Sequence, residues 1–234
     1  DEHLRGQGSR YLLGRGRLRL RHQEKWLDQA GACRREAQIK RWTRKKKLLD
    51  TLRESEEISC SFDDTIMINF GGAEKNSLNG FRKLDLLKLY NAVLFFSKGG
   101  VLKSKLNKLL FYADFKHFKE YTLSITGLRY AHLPYGPVPD NYAMYYAALF
   151  SKGLVEFIEE PYPKGYVGEL IKAVKEPNLN IFSPGELRIM ASVMEDFKGY
   201  TATQIQNLSH KEKGYQQTSD GEIISYAYAK ELNY

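Results

Sequence analysis

The chain has 234 residues, a formal net charge of +8 and a hydrophobic fraction of 42%. This length is enough for one core of ordinary size and an appendage. The two cysteines, Cys33 and Cys60, form no CxxC pair, which argues against a disulfide framework and a cysteine-based zinc site. The apolar runs are too short to cross a membrane. We therefore expect a cytoplasmic protein without membrane contact.

The positive charge is concentrated near the N-terminal end. Residues 1–50 contain 15 Lys and Arg against 6 Asp and Glu, whereas residues 81–234 contain 19 against 16. A cationic run is typical of a solvated helix face, and it also suits contact with phosphate groups. We expect residues 1–57 to form a basic, partly helical arm. Its candidates for nucleic-acid contact are Arg34, Arg35, Lys40, Arg41, Arg44, Lys45, Lys46 and Lys47.

The composition changes after the arm. Residues 51–80 contain 2 Lys and Arg against 6 Asp and Glu, and they include the glycine pair Gly71–Gly72. Glycines and polar runs of this kind separate structural elements. The β-branched segment Thr65–Ile68 favours an edge strand. We therefore predict a linker or edge strand over residues 58–80, followed by a globular domain over residues 81–234.

Two helices open the predicted domain. Apolar residues recur at helical spacing from Leu86 to Leu94, which predicts a helix that ends at Gly99–Gly100. The next helix, 102–120, is apolar around most of its circumference, so it is the expected centre of the core. A narrow strip of this helix is left to face water. Its members are Lys105, Lys108, Lys116 and Lys119, with Tyr112 among them.

An extended segment, 128–133, precedes three prolines that exclude a helix. Asp140 can cap the helix that follows. Two short strands, 154–159 and 166–174, form a predicted hairpin.

Capping boxes at Ser183 and Thr201 begin two further helices, and a last helix is expected over residues 224–232. The predicted fold class is α+β: a predominantly helical domain with a small antiparallel β-sheet, preceded by the basic helical arm.

The sequence contains none of the residue spacings that are typical of a catalytic, cofactor or metal site. Asp114 and His117 lie three apart on the central helix, but a metal needs at least a third ligand. The run from Ser209 to Glu212 contains a serine, a histidine and a carboxylate, yet adjacency in sequence does not make a triad. We therefore predict a protein that is not an enzyme and has no cofactor. An enzyme would require His210, or the pair Asp114 and His117, to converge with other groups in a cleft.

Four short motifs identify a family by their order and spacing. They are Lys-Leu-Asn-Lys-Leu-Leu-Phe-Tyr-Ala-Asp at 105–114, Tyr-Gly-Pro-Val-Pro at 135–139, Ser-His-Lys-Glu at 209–212 and Ile-Ser-Tyr at 224–226. Together they resemble the Panacea domain, also called the SocA-like antitoxin domain. The resemblance covers about residues 81–234.

The resemblance implies a bacterial or phage antitoxin that neutralises a cognate protein toxin by direct binding. Some relatives carry a zinc-ribbon or helix-turn-helix segment before this domain and repress their own operon, and one related antitoxin acts as a proteolytic adaptor. The first 57 residues of this chain show neither zinc-ligand cysteines nor a recognisable helix-turn-helix. An autoregulator that binds DNA through the basic arm, a proteolytic adaptor and a homodimer therefore stay open as alternatives.

Rigid aromatic residues lose little conformational entropy on binding, so they are frequent hot spots of protein interfaces. We expect the toxin to contact aromatics and prolines of the domain, together with part of the lysine strip. The candidates for partner contact are Tyr112, Tyr135, Pro137, Pro139, Tyr142, Lys105, Lys108 and Lys116.

The DNA-binding alternative makes its own prediction. If the arm holds phosphate groups, binding of duplex DNA should weaken steeply with salt and disappear when residues 1–57 are removed. Fluorescence anisotropy with labelled duplex at several salt concentrations measures both effects. Binding that does not respond to salt, or no binding by the intact chain, would eliminate this alternative.

Overall fold

The structure, a computed structural model, describes residues 62–71, 73–161 and 167–234. The basic arm and its eight predicted nucleic-acid contacts lie outside the described residues, as does the tip of the predicted hairpin at 162–166. The described residues belong to one unit, Phe62–Tyr234.

Helices supply most of the regular structure. They are α1 (Phe62–Ile66), which continues into a π-helical turn (Met67–Gly71), α2 (Leu86–Phe96), α3 (Lys103–Tyr121), α4 (Tyr142–Ser151), α5 (Pro184–Asp196), α6 (Ala202–Ser209) and α7 (Lys213–Gln216). Two 3₁₀ turns cover Leu179–Ile181 and Tyr226–Glu231.

Six short strands form two antiparallel sheets in the described part of the chain. The strands are β1 (Val101–Leu102), β2 (Tyr130–Leu133), β3 (Gly136–Pro139), β4 (Val155–Pro161), β5 (Val167–Ala173) and β6 (Ile223–Ile224). One sheet has the order β1-β5-β4 and the other β3-β2-β6. The predicted α+β class is confirmed, with two small sheets in place of one.

Helix α3 is the centre of the core. Eleven of its 19 residues are buried, and it packs against α5, α6, β3 and the C-terminal 3₁₀ turn. The prediction of a central helix is therefore confirmed. The prediction that its lysine strip faces water is wrong at Lys108 and Tyr112, which are 1% and 0% exposed. Lys108 is covered by β3, where it contacts Pro137, and Tyr112 is covered by the rings of Phe197 and Tyr234.

The carboxylate of Asp114 ties α3 to the segment that leads into β2. Its Oδ1 accepts hydrogen bonds from the backbone N–H groups of Ile125 (2.7 Å) and Thr126 (2.9 Å), and its Oδ2 accepts from Thr126 Oγ1 (2.5 Å) and Tyr130 Oη (2.8 Å). Burial raises the pKa of Asp114, and the four hydrogen bonds oppose that rise. With four donors on one buried carboxylate, the loop before β2 is held at a single position on the helix.

Two predicted elements differ from the structure. Thr65–Ile68 was expected as an edge strand and is helical. Asp63 and Asp64 occupy the first turn of α1, where acidic side chains suit the helix dipole, and Asp63 accepts a hydrogen bond from Tyr90 Oη on α2 (2.8 Å). These contacts favour a helix over the weak strand preference of the β-branched residues.

The expected last helix over residues 224–232 is a short strand followed by a 3₁₀ turn. Ile224 pairs with Tyr130 in the sheet, and the buried Tyr226 donates a hydrogen bond to Leu128 O (2.9 Å). The two predicted capping boxes, at Ser183 and Thr201, are both present.

We predict that Asp114→Ala destabilises the fold strongly, because it leaves four buried donors without their acceptor. The expected loss of unfolding free energy is at least about 3 kcal/mol, measured by denaturant titration. Glu195→Ala is the control, since it removes an exposed carboxylate whose ion pair with Lys198 spans 3.5 Å. It should change stability by less than about 1 kcal/mol. Equal effects of the two substitutions would contradict the central role of Asp114.

Candidate functional site

The turn between β2 and β3 carries an exposed aromatic residue. Leu133 and Gly136 are its paired ends, and Pro134 and Tyr135 form the tip. Tyr135 is 72% exposed, whereas Gly136 and Pro137 directly after it are buried. We call the segment Leu133–Pro137 the Tyr135 turn. It places a large amphipathic ring in solvent on a short and well-packed support.

Gly136 lets the turn approach the core closely. Its φ of +91° is in the region that favours glycine, and a Cβ at this position would lie 2.5 Å from Ser209 Oγ and 2.7 Å from Lys108 Cε. Helix α3 and the end of α6 are thus in direct contact with the turn. A side chain at this position would push the turn away from both.

Two hydrogen bonds hold the carbonyl groups on either side of the tip. Lys108 Nζ donates to Pro137 O (2.8 Å), and Tyr215 Oη donates to Leu133 O (2.9 Å). We call Lys108 and Tyr215 the clamp. Each hydrogen bond joins the turn to a different helix, α3 or α7, so both ends of the turn are fixed.

Lys108 is an unusual residue for this role, because its side chain is almost completely buried. Burial lowers the pKa of its amino group to about 7. The amine therefore exists in charged and uncharged forms near neutral pH, and either form can donate the hydrogen bond to Pro137 O.

Two histidines stack on the ring of Tyr215. The ring centroid of His132 lies 3.7 Å away at 18°, and that of His210 lies 4.6 Å away at 4°. Two imidazoles cannot lie side by side on one face at these distances, so they occupy opposite faces. His132 Nδ1 is 3.0 Å from Thr218 Oγ1, whereas His210 Nε2 is buried and has no hydrogen-bond partner in the described structure.

The other predicted partner-contact residues have varied surroundings. Tyr112 is buried and donates a hydrogen bond to Glu212 (3.2 Å), and Pro137 and Pro139 are buried in β3. Their side chains are not available at the surface of this conformation, because the core packs around them.

The remaining candidates reach solvent in part. Tyr142 is half-buried, with Lys103 Nζ 5.9 Å from its ring centroid. Lys105 donates to Tyr200 O (2.6 Å), and Lys116 lies 4.3 Å from the ring centroid of Tyr234. Among the eight predicted residues, Tyr135 is the most exposed.

The residues considered above for catalysis or metal binding make structural contacts instead. Ser209 Oγ donates to Gln206 O (2.7 Å), and Glu212 accepts from Tyr112 and from the backbone of Asn233 (2.9 Å), so Ser209, His210 and Glu212 do not form a relay. His117 Nδ1 lies 2.5 Å from Leu123 O. No group of three His, Cys, Asp or Glu that could hold a metal occurs within the described ranges.

The family model described as antitoxin SocA-like, Panacea domain, matches residues 106–216, which include the turn and the clamp. Residues 106–216 thus match the family that the sequence motifs indicated, and a match to this antitoxin-like domain suggests a non-catalytic role. The wider bounds of 81–234 stay a prediction. Neither a curated protein nor a solved structure matches the chain. No described helix is long and apolar enough to span a membrane.

The clamp was not predicted from the sequence. The periodic pattern assigns Lys108 to the water-facing strip, and no motif marks Tyr215 as a partner of the turn. One sequence signal pointed to the contact: Gly136 stands between Tyr135 and Pro137, where a close approach of the backbone requires a glycine.

We predict that Gly136→Ala destabilises the domain more than Gly153→Ala does. Both glycines have positive φ, but nothing lies within 4 Å of a Cβ at Gly153. The difference therefore isolates the contact with Lys108 and Ser209, and we expect about 1–3 kcal/mol from overpacking. Thermal and denaturant unfolding of the two variants measures it. Equal destabilisation would show that the close approach at Gly136 has no energetic weight.

Proposed function

We propose that this chain is an antitoxin that neutralises a cognate protein toxin by direct binding, with the Tyr135 turn at the contact surface. The family of residues 106–216 supports the general role. The observation that carries the site is the 72% exposure of Tyr135 on a turn whose two flanking carbonyl groups are both hydrogen-bonded to the core.

The rigidity of the turn favours binding on energetic grounds. A flexible loop loses conformational entropy when a partner orders it, whereas a turn that is already fixed loses little. A tyrosine has few rotatable bonds and a polar end, so it buries a large area and keeps a hydrogen-bonding group. The toxin is then held inactive by occlusion of its substrate site or by capture of an inactive conformation.

The other predicted contact residues divide into those that can contact a partner directly and those that support the turn from the interior. Tyr142, Lys105 and Lys116 can contact a partner directly because each is partly exposed. Tyr112, Pro137 and Pro139 act instead from the interior, as support for the turn and α3. Lys108 acts through its hydrogen bond to Pro137.

The experiment begins with identification of the partner. Tagged full-length chain is purified from cells of its source, and each protein that co-purifies is expressed in a bacterial host with and without the chain. A toxin should arrest growth when expressed alone and should not do so in the presence of the chain. If no stably bound protein arrests growth, the proposed function is wrong.

We predict that Tyr135→Ala weakens binding of that toxin by about 2 kcal/mol or more, the usual range for a hot spot, and weakens growth rescue accordingly. Isothermal titration calorimetry with purified toxin measures the affinity. Leu87→Ala is the matched control, because Leu87 is 60% exposed on a different element, α2. Unchanged affinity of Tyr135→Ala, with rescue intact, would move the contact surface elsewhere on the domain and leave the antitoxin function standing.

A further inference from the structure

Three basic side chains lie beneath the Tyr135 turn. They are Lys108 on α3, His132 on β2 and His210 at the end of α6. Lys108 and Tyr215 hold the two carbonyl groups of the turn, and the two histidines stack on Tyr215. We propose that the clamp is operated by protons: protonation of Lys108 and His210 as the pH falls releases the Tyr135 turn.

The lack of further acceptors around Lys108 favours the uncharged form of its amine. An ammonium group has three N–H donors, and within the described residues Lys108 Nζ has one acceptor, Pro137 O. Its side chain is 1% exposed, so water does not compensate the remaining donors. A buried charge that lacks partners is costly. The closed turn is therefore compatible with the amine and strained by the ammonium ion.

His210 adds a second group that resists protonation. Its Nε2 is buried and has no acceptor in the described structure, so an additional N–H at this atom would be unsatisfied. The pKa of His210 is lowered by burial first and then by the positive charges of Lys108 and His132. The three bases are thus close enough to repel one another when they are charged.

The surrounding charges do not cancel this repulsion. The elements packed at the site contribute Lys108, His132, His210 and the ring of Tyr215. One carboxylate, Asp220 after α7, interacts electrostatically with Tyr215. Glu212 is near in sequence, but its hydrogen bonds are made with Tyr112 and Asn233. With one exposed carboxylate nearby, protonation of Lys108 and His210 leaves the site with excess positive charge.

The direction of the pH effect follows from proton linkage. The pKa of Lys108 is about 7 in the closed turn and returns towards its ordinary value of 10.5 when the turn opens. The open state therefore binds more protons, and closure weakens as the pH falls from about 10 towards 7. Between pH 8 and pH 6 the opening constant rises by about tenfold for this one group, and it levels off below. The lowered pKa of His210 extends the effect below pH 6.5.

The biological meaning of this device rests on the proposed function. A partner bound at the Tyr135 turn would be held most firmly at alkaline pH and less firmly as the pH falls to 7 and below. Lys108 is a positioning residue in this scheme, because it acts on the partner only through Pro137 O.

Hydrogen–deuterium exchange of the full-length chain tests the device without any partner. Protection of the segment 130–139 is measured at pH 6, 7, 8 and 9 and corrected for the intrinsic exchange rate. We expect protection in the native protein to fall by about tenfold from pH 8 to pH 6. The β4–β5 hairpin in the same samples serves as the internal reference, and its protection should not follow this profile.

Substitutions separate the titrating groups. Lys108→Met keeps an unbranched side chain of similar length and should abolish the part of the profile above pH 6.5. Lys116→Met makes the same change elsewhere on α3, where Lys116 contacts Ser192, and should leave the profile intact. His210→Gln should remove only the part below pH 6.5.

A flat profile in the native protein would overturn the proposal, and so would an unchanged profile in both Lys108→Met and His210→Gln. If circular dichroism shows that Lys108→Met does not fold, the pH profiles of the native protein and of His210→Gln still test the proposal. The outcome is independent of toxin binding: exchange can fail to respond to pH in a protein that rescues growth, and the converse also holds.

Discussion

The buried carboxylate of Asp114 joins the central helix α3 to the second sheet. A helix that is covered on nearly every side has to satisfy its own polar side chains inside the core, and Asp114 does so with four donors from residues 125–130. Those hydrogen bonds fix the start of β2 on α3. Strand β2 pairs with both β3 and β6, so the position of the whole second sheet follows from this one buried group.

The same rule connects the core to the candidate binding surface. Lys108 lies six residues before Asp114 on α3 and satisfies its amino group with a carbonyl of the Tyr135 turn. The hydrogen bond that satisfies the buried amino group therefore also fixes the turn on which Tyr135 is exposed. Burial lowers the pKa of Lys108 to about 7, and this would give the surface the pH dependence proposed above. Binding and its regulation would then share a single contact between α3 and Pro137.

Local signals in the sequence were reliable where one short segment decides the outcome. The helix starts at Ser183 and Thr201 were predicted because each capping box closes within four residues. The lysine strip was misread at Lys108 because a periodic pattern assigns charged residues to water, which the cost of burying a charge normally justifies. The exception needs Pro137 O as acceptor, 29 residues further along the chain, and no local pattern contains that information.

Consecutive residues were enough to predict the family match over residues 106–216, the α+β class and the central position of α3, because motif order, capping residues and apolar periodicity are local properties. Tertiary structure alone decided which members of those motifs are exposed. Tyr135 and Pro137 stand two apart in one motif, yet the first faces solvent and the second is buried in β3. The physical reason is the packing of α3 and α6 against Gly136, which brings the turn onto the core and leaves only its tip in water.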